Sequence, residues 1–181
     1  MTHLLGPTTL RADTPRASAP AEARSFRDFM SAFHTGVAVV TTVDSAGVSH
    51  GMTCTSLASV TLTPPTLLVC LNSASGTLRA VLDSQRFAVN ILHHRAAGTA
   101  QFFGSTMPRE SSTSAQQQSP ELAQPWLRDD SLAMAECDLT ATQVVGSHTV
   151  VFGRVKRSEH CDDAPLIYGR RRYYHVVDPA Q

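Results

Sequence analysis

The sequence predicts a mainly β domain, a small closed barrel with a few short helices. Three observations point there. Runs dense in β-branched residues recur between residues 36 and 156, Pro, Gly and Ser punctuate them, and the helical stretches between are too short for repeating βαβ units. Closing many short strands into a barrel also removes the exposed edges that invite pairing with other chains.

Each element has its own signal. Residues 1–23 are rich in Thr, Ala, Pro and Arg without apolar periodicity, so a disordered tail is expected there, followed by one domain over 24–181. Phe26, Phe29, Met30 and Phe33 then recur at helical spacing, with Ser25 placed to cap the first turn. Residues 36–43 read as a strand, and 44–47, Asp-Ser-Ala-Gly, supply the turn that returns the chain as a second strand. Further strands are expected at 57–62, 67–71, 87–92, 135–145 and 149–156. One helix should start near Thr77 with Leu78, Val81 and Leu82 inward, and another should cover 96–103. The Ser- and Gln-rich stretch 111–119 reads as a surface loop.

With 181 residues, 42% of them hydrophobic, the chain has material for one sizeable core. Its formal net charge of zero excludes binding to nucleic acid or an anionic membrane through an overall basic field. Small molecules or proteins are the expected partners. No apolar run is long enough to cross a bilayer and the first residues lack a basic-then-apolar signal, so a cytoplasmic location is expected. Cys54, Cys70, Cys137 and Cys161 form no Cys-x-x-Cys pair and read as free thiols. No metal is expected either: His93 and His94 would point to opposite faces of a strand, and no carboxylate or cysteine follows at ligand spacing.

Two polar clusters stand out in this apolar frame. Met52, Thr53, Cys54, Thr55 and Ser56 offer small hydroxyls and backbone that can hydrogen-bond the edge of a planar heterocycle; taken alone, strand-end Thr and Ser are the plainer explanation. Residues 72–77, with Asn72, Ser75 and Thr77, follow an apolar strand and lead into a helix whose free amides suit a phosphate, with Arg79 adding charge; a plain N-cap also accounts for them. Asn90, in a buried strand, is read as bonding neighbouring backbone.

The order of motifs resembles the flavin reductase-like family, the small reductase components of two-component flavin-dependent monooxygenases. The resemblance spans residues 26–176. It rests on Thr-Gly-Val-Ala-Val-Val-Thr-Thr from Thr35, the stretch from Gly51 to Pro65, Ser75-x-Thr77, Arg86-Phe-Ala-Val-Asn-Ile-Leu92, Gly146-Ser-His148, and Pro165-Leu-Ile-Tyr168. It implies an FMN-binding type of split β-barrel that works as a homodimer. It implies FMN or FAD along Met52, Thr53, Cys54, Thr55 and Ser56, with the phosphate side at Leu71, Asn72, Ser75 and Thr77 and with Phe103 nearby.

His148 matches the histidine of the family's Gly-Asp-His motif and would act at the nicotinamide of NADH or NADPH, although Ser147 replaces the aspartate. Tyr173 would be a lid or stacking partner for the nicotinamide, and a core aromatic is the plain alternative. Gly169 stands where a second tyrosine is frequent, which predicts free space beside the site. The three arginines 170–172 can reach a dinucleotide phosphate or form a solvated charge run. The implied activity is hydride transfer to flavin, with reduced flavin supplied to a partner monooxygenase. The rival readings are a flavin- or haem-binding module without turnover, and an oxidase of an aminated pyridoxal cofactor.

Overall fold

The computed structural model describes residues 20–105 and 117–175. The chain begins with helix α1 (Pro20–Ser31), followed by strands β1 (Thr35–Gly36), β2 (Ala38–Val43), β3 (Ser49–Cys54), β4 (Ala58–Leu62) and β5 (Pro65–Asn72). Helix α2 (Gly76–Ser84), strand β6 (Arg86–Leu92) and helix α3 (Ala97–Gly104) come next. Short strands β7 (Gln117–Gln118) and β8 (Pro125–Trp126) precede the long hairpin β9 (Ser131–Val145) and β10 (His148–His160). The last pair is β11 (Leu166–Gly169) and β12 (Arg172–His175).

Seven strands form one antiparallel sheet in the order β3-β2-β6-β9-β10-β5-β4. The sheet curls until β3, at one end, approaches β5, one strand from the other end. Ser56 closes the seam: its Oγ accepts from the Cys70 amide at 2.9 Å and donates to the Cys70 carbonyl at 3.2 Å. A single side chain there does the work of a strand partner. This is the mainly β split barrel that the motifs imply.

β2 is buried on both faces, which is why residues 37–40 form an unbroken apolar run rather than an alternating one. Ala38 and Val40 enter the main core with Val69, Leu71, Phe87 and Val151. Val37 and Val39 face a second core with Ala100, Phe103, Leu127 and Leu166. The hairpin after β2 is fixed by Asp44, whose Oδ1 accepts from the amides of Ala46 (3.0 Å) and Val48 (2.9 Å), while Gly47 takes φ +80°. Asn90 is fully buried and satisfied as expected: it donates to the Val39 carbonyl and to Thr41 Oγ1, and accepts from the Leu127 amide. Glu136, also fully buried, accepts from Ser119 Oγ and from the amides of Glu121 and Leu122, tying that segment to β9.

Several expectations shift. α1 begins at Pro20, so Ser25 lies inside the helix rather than at its cap, and 20–23 are helical rather than part of a tail. The rest of the expected tail, 1–19, lies outside the described residues, as do 111–116 of the expected loop, whose 117–118 form β7. The helix ends at Ser31, short of Phe33, and its apolar side does not face this chain's core: Phe26 and Phe29 on α1 and Phe33 just past it are 65–73% exposed. Leu78 and Val81 point inward from α2, but Leu82, one residue past the inward face, is exposed.

Candidate active site

Residues 53–55, running off the end of β3, form a wall shared by two cavities. On one side a groove of about 280 Å³ is completed by Ser56, Cys70, Asn72 and His148. On the other a cavity of about 350 Å³ is completed by Ala100, Gly104, Tyr168 and Tyr173. A third cavity of about 690 Å³ continues from Thr53 past Asn72, Ser75, Gly76 and Thr77, with His50 and Phe103 in its walls.

Register brings these together. His148, the first residue of β10, lies opposite Asn72, the last of β5. The two loops are also tied directly: the Ser73 amide donates to the Ser147 carbonyl at 3.0 Å, and the Ser73 and Thr149 hydroxyls are 2.9 Å apart. Any movement of the β9–β10 turn therefore moves the start of α2.

The side chains expected in the site divide by what they already bond. Thr53 donates its hydroxyl to the Ala100 carbonyl at 2.7 Å, fastening α3 to β3, and Ser56 is engaged at the seam. Met52 is half-buried against the main core, whereas Thr55 is exposed. Cys54 is buried, and that burial pushes its thiol up to about 11. Leu71 is fully buried in the main core and lines none of these cavities. Phe103 is buried as well; its ring lies against Gly51, where a Cβ would come within 2.6 Å of it. It supports β3 from behind.

Asn72 is exposed and turns its Oδ1 back to the Ala74 amide at 2.9 Å. Ser75 is the N-cap of α2, accepting from the Leu78 amide at 3.1 Å, while Thr77 is buried one turn in. The Ser75 carbonyl takes the Arg79 amide, which leaves the amides of Gly76 and Thr77 without a partner among the described residues. Two free amides at a helix start, opening into a cavity, suit an anionic oxygen such as a flavin phosphate. The cap and the phosphate readings of this segment are thus compatible.

His148 is exposed at the groove, with its Nδ1 3.1 Å from Ser147 Oγ. Tyr173 packs tilted on Tyr168 (centroids 5.3 Å apart), and burial together with that neighbour raises its hydroxyl pKa. Beyond Thr55 lies a larger cavity of about 820 Å³ between α1 and Tyr168, with Arg27 and Arg171 in its lining. Arg171 makes a loose ion pair with Asp28 at 3.5 Å.

Gly169 borders the cavity of about 820 Å³, but the place its own side chain would take is filled. A Cβ there would fall 2.3 Å from His34 Cδ2, so the imidazole of His34, tilted against Tyr174, occupies it. Neither His34 nor His50 was legible as a site residue. His34 precedes the Thr-Gly motif without being part of it, and His50 joins the phosphate side only through the β2–β3 hairpin.

The profile of the flavin reductase like domain matches residues 30–176. The chain belongs to the flavin reductase-like family. It is 47% identical over 158 residues to a flavin reductase (NADPH) of Lentzea aerocolonigenes, covering 87% of this chain and 92% of the relative. Identity is 37% over 151 residues with the reductase subunit HsaB of a flavin-dependent monooxygenase from Rhodococcus jostii (strain RHA1), covering 83% and 76%. Among solved structures, the flavin reductase component of a bacterial two-component tryptophan halogenase superposes with a TM-score of 0.80 at 28% identity, covering 86% of this chain and 99% of the other.

Proposed function

We propose that the chain is an NAD(P)H:flavin oxidoreductase that reduces FMN or FAD and supplies the reduced flavin to a partner monooxygenase component. One observation carries this reading: the groove bounded by residues 52–56 and His148 shares Met52, Thr53 and Asn72 with the cavity at the free amides of α2. A ring system fits the first part and its phosphate the second. When both are bound and stacked, flavin and nicotinamide supply the hydride chemistry themselves. The protein has to hold the two planes in register and keep water out.

In this reading Thr55 and the backbone of 52–56 orient the flavin edge, and Asn72, Ser75 and Thr77 frame the phosphate. His148 lies at the reacting face, with Ser147 setting its ring. Tyr173, across the shared wall, stacks on or covers the nicotinamide, and Arg27 and Arg171 offer charge to the dinucleotide's phosphates. No acid–base pair is needed, and this agrees with the hydroxyls and amides that make up the walls.

The enzyme is read as a homodimer. Exposed Phe26 and Phe29 on α1 and Phe33 just past it, together with Val60 and Leu62 of the exposed edge strand β4, are apolar surface that a second copy would cover. Drawing on reduced nicotinamide fits a cytoplasmic protein. The test mixes purified protein with NADH or NADPH and FMN or FAD and follows nicotinamide absorbance. Oxidation with at least one pair is expected; flavin binding without oxidation under any pair would favour a binding module instead. Light scattering should return twice the monomer mass of 19.5 kDa.

A further inference from the structure

The phosphate side of the site contains a histidine with a carboxylate behind it. His50 lines the cavity at the start of α2 and is the sole ionisable side chain among the described residues lining it. Its Nε2 lies 2.7 Å from Asp44 Oδ2. A carboxylate accepts, so Nε2 carries a proton and donates it. The other nitrogen, Nδ1, faces Gly76, standing 3.5 Å from where a Cβ on that residue would sit, and has no hydrogen-bond partner among the described residues. It thus points at the helix start where the amides of Gly76 and Thr77 are free.

A neutral ring in this orientation would turn a lone pair toward the cavity and repel an anion. A protonated ring turns an N–H donor there and keeps its second N–H on Asp44. Asp44 is ionised well below neutrality, held below the usual carboxylate range first by its bond to His50 and then by the Val48 amide. The other charged groups on the packed elements are Asp83 of α2, which accepts from the Ser45 amide beside Asp44, and the exposed Arg79 in the first turn of α2.

We propose that His50, oriented by Asp44, is a ligand of the flavin phosphate and binds it as the imidazolium, so that docking of the phosphate is coupled to uptake of one proton at Nδ1. This rests on the reading that flavin occupies the cradle described above. It adds a cationic ligand to a set otherwise made of hydroxyls and amides, and it makes affinity for phosphorylated flavin fall as pH rises.

The test compares equilibrium binding of FMN and of riboflavin, which lacks the phosphate, to the full chain at about pH 6 and about pH 8.5, on either side of histidine titration. At the lower pH His50→Gln should weaken FMN binding about tenfold, the size of one charge-assisted hydrogen bond, and riboflavin binding by less than about twofold. The wild type should lose FMN preference at the higher pH, while His50→Lys keeps it at both. The phosphate's own ionisation near about pH 6 works in the opposite direction and is isolated in His50→Gln. Equal weakening of both flavins would make His50 a support of the fold and overturn the proposal, as would unchanged FMN binding at both pH values. If the wild type bound neither flavin, the flavin site itself would fall.

Discussion

The imidazole of His34 lies where a side chain on Gly169 would have to go, with His34 Cδ2 2.3 Å from the position of a Cβ there. The two residues share one place beside Tyr168, and only one of them can fill it. Gly169→Tyr alone should displace His34 and destabilise the protein by about 1–3 kcal/mol. Adding His34→Ala should restore most of that loss, and thermal melts of the two single variants and the double variant measure the coupling. Additive losses would mean that the rings do not compete.

Ser56 tests the seam. Ser56→Ala leaves the Cys70 amide and carbonyl without their partner at a half-buried position. A loss of about 1–3 kcal/mol in chemical denaturation is expected, with weaker flavin binding, because β3 and β5 then part beneath the groove.

His148→Ala should lower the rate of flavin reduction or raise KM for the nicotinamide by about tenfold, the scale of one lost hydrogen bond in the reacting complex. Ser147→Asp supplies a carboxylate next to the ring and should shift the pH dependence of the rate in a way that His148→Ala abolishes. Steady-state constants unchanged in His148→Ala would remove this residue from the mechanism.

Thiol labelling follows burial. Burial pushes Cys54 up to about 11 and Cys137 up to about 12, so both stay neutral at mildly alkaline pH, where the thiolate is the reacting species. Iodoacetamide should modify exposed Cys161 first and leave Cys54 and Cys137 intact until the protein unfolds, as read by mass spectrometry of digests. Early modification of Cys54 would show that the wall at 53–55 opens in solution.

Acid sensitivity has a sign set by three carboxylates. Asp44 is held low by His50, Glu159 by Arg128 and Arg157, and Asp163 by the Ala164 amide and Arg95. Their folded values lie below their unfolded ones, so the stability they add is complete above the ordinary carboxylate range and is lost as pH falls through the folded values. Stability should therefore be flat from neutrality down to about pH 5 and decline below about pH 4. Asp163→Asn should make that decline shallower.

Strands that alternate or run apolar, such as β2, β6 and β10, were legible because their pattern is the burial pattern itself. The turn at Asp44 was legible because its side chain bonds its own loop. What could not be read depends on tertiary contact. Ser56 as a seam, Thr53 fastened to Ala100 and His34 filling the place at Gly169 join residues that lie 14, 47 and 135 positions apart, and no local pattern marks them. For α1 the helical spacing was legible but not what its apolar side would meet: Phe26, Phe29 and, just past the helix, Phe33 stand exposed. Nor does the order of motifs distinguish side chains that face a cavity from those that support it: Leu71 is fully buried in the main core, whereas Phe103, also buried, still forms part of a cavity wall.

The shared wall at 53–55 limits how such an enzyme can change its preferences. A substitution there alters the groove of His148 and the cavity of Tyr173 together, so under the function proposed above acceptor and donor cannot be tuned independently through those three residues. Independent adjustment has to come from the outer walls: the start of α2 for one ligand, and the Tyr168–Tyr173 pair with α1 for the other. Variation in preference within this architecture should accordingly concentrate at its periphery, around a strand end that stays nearly fixed.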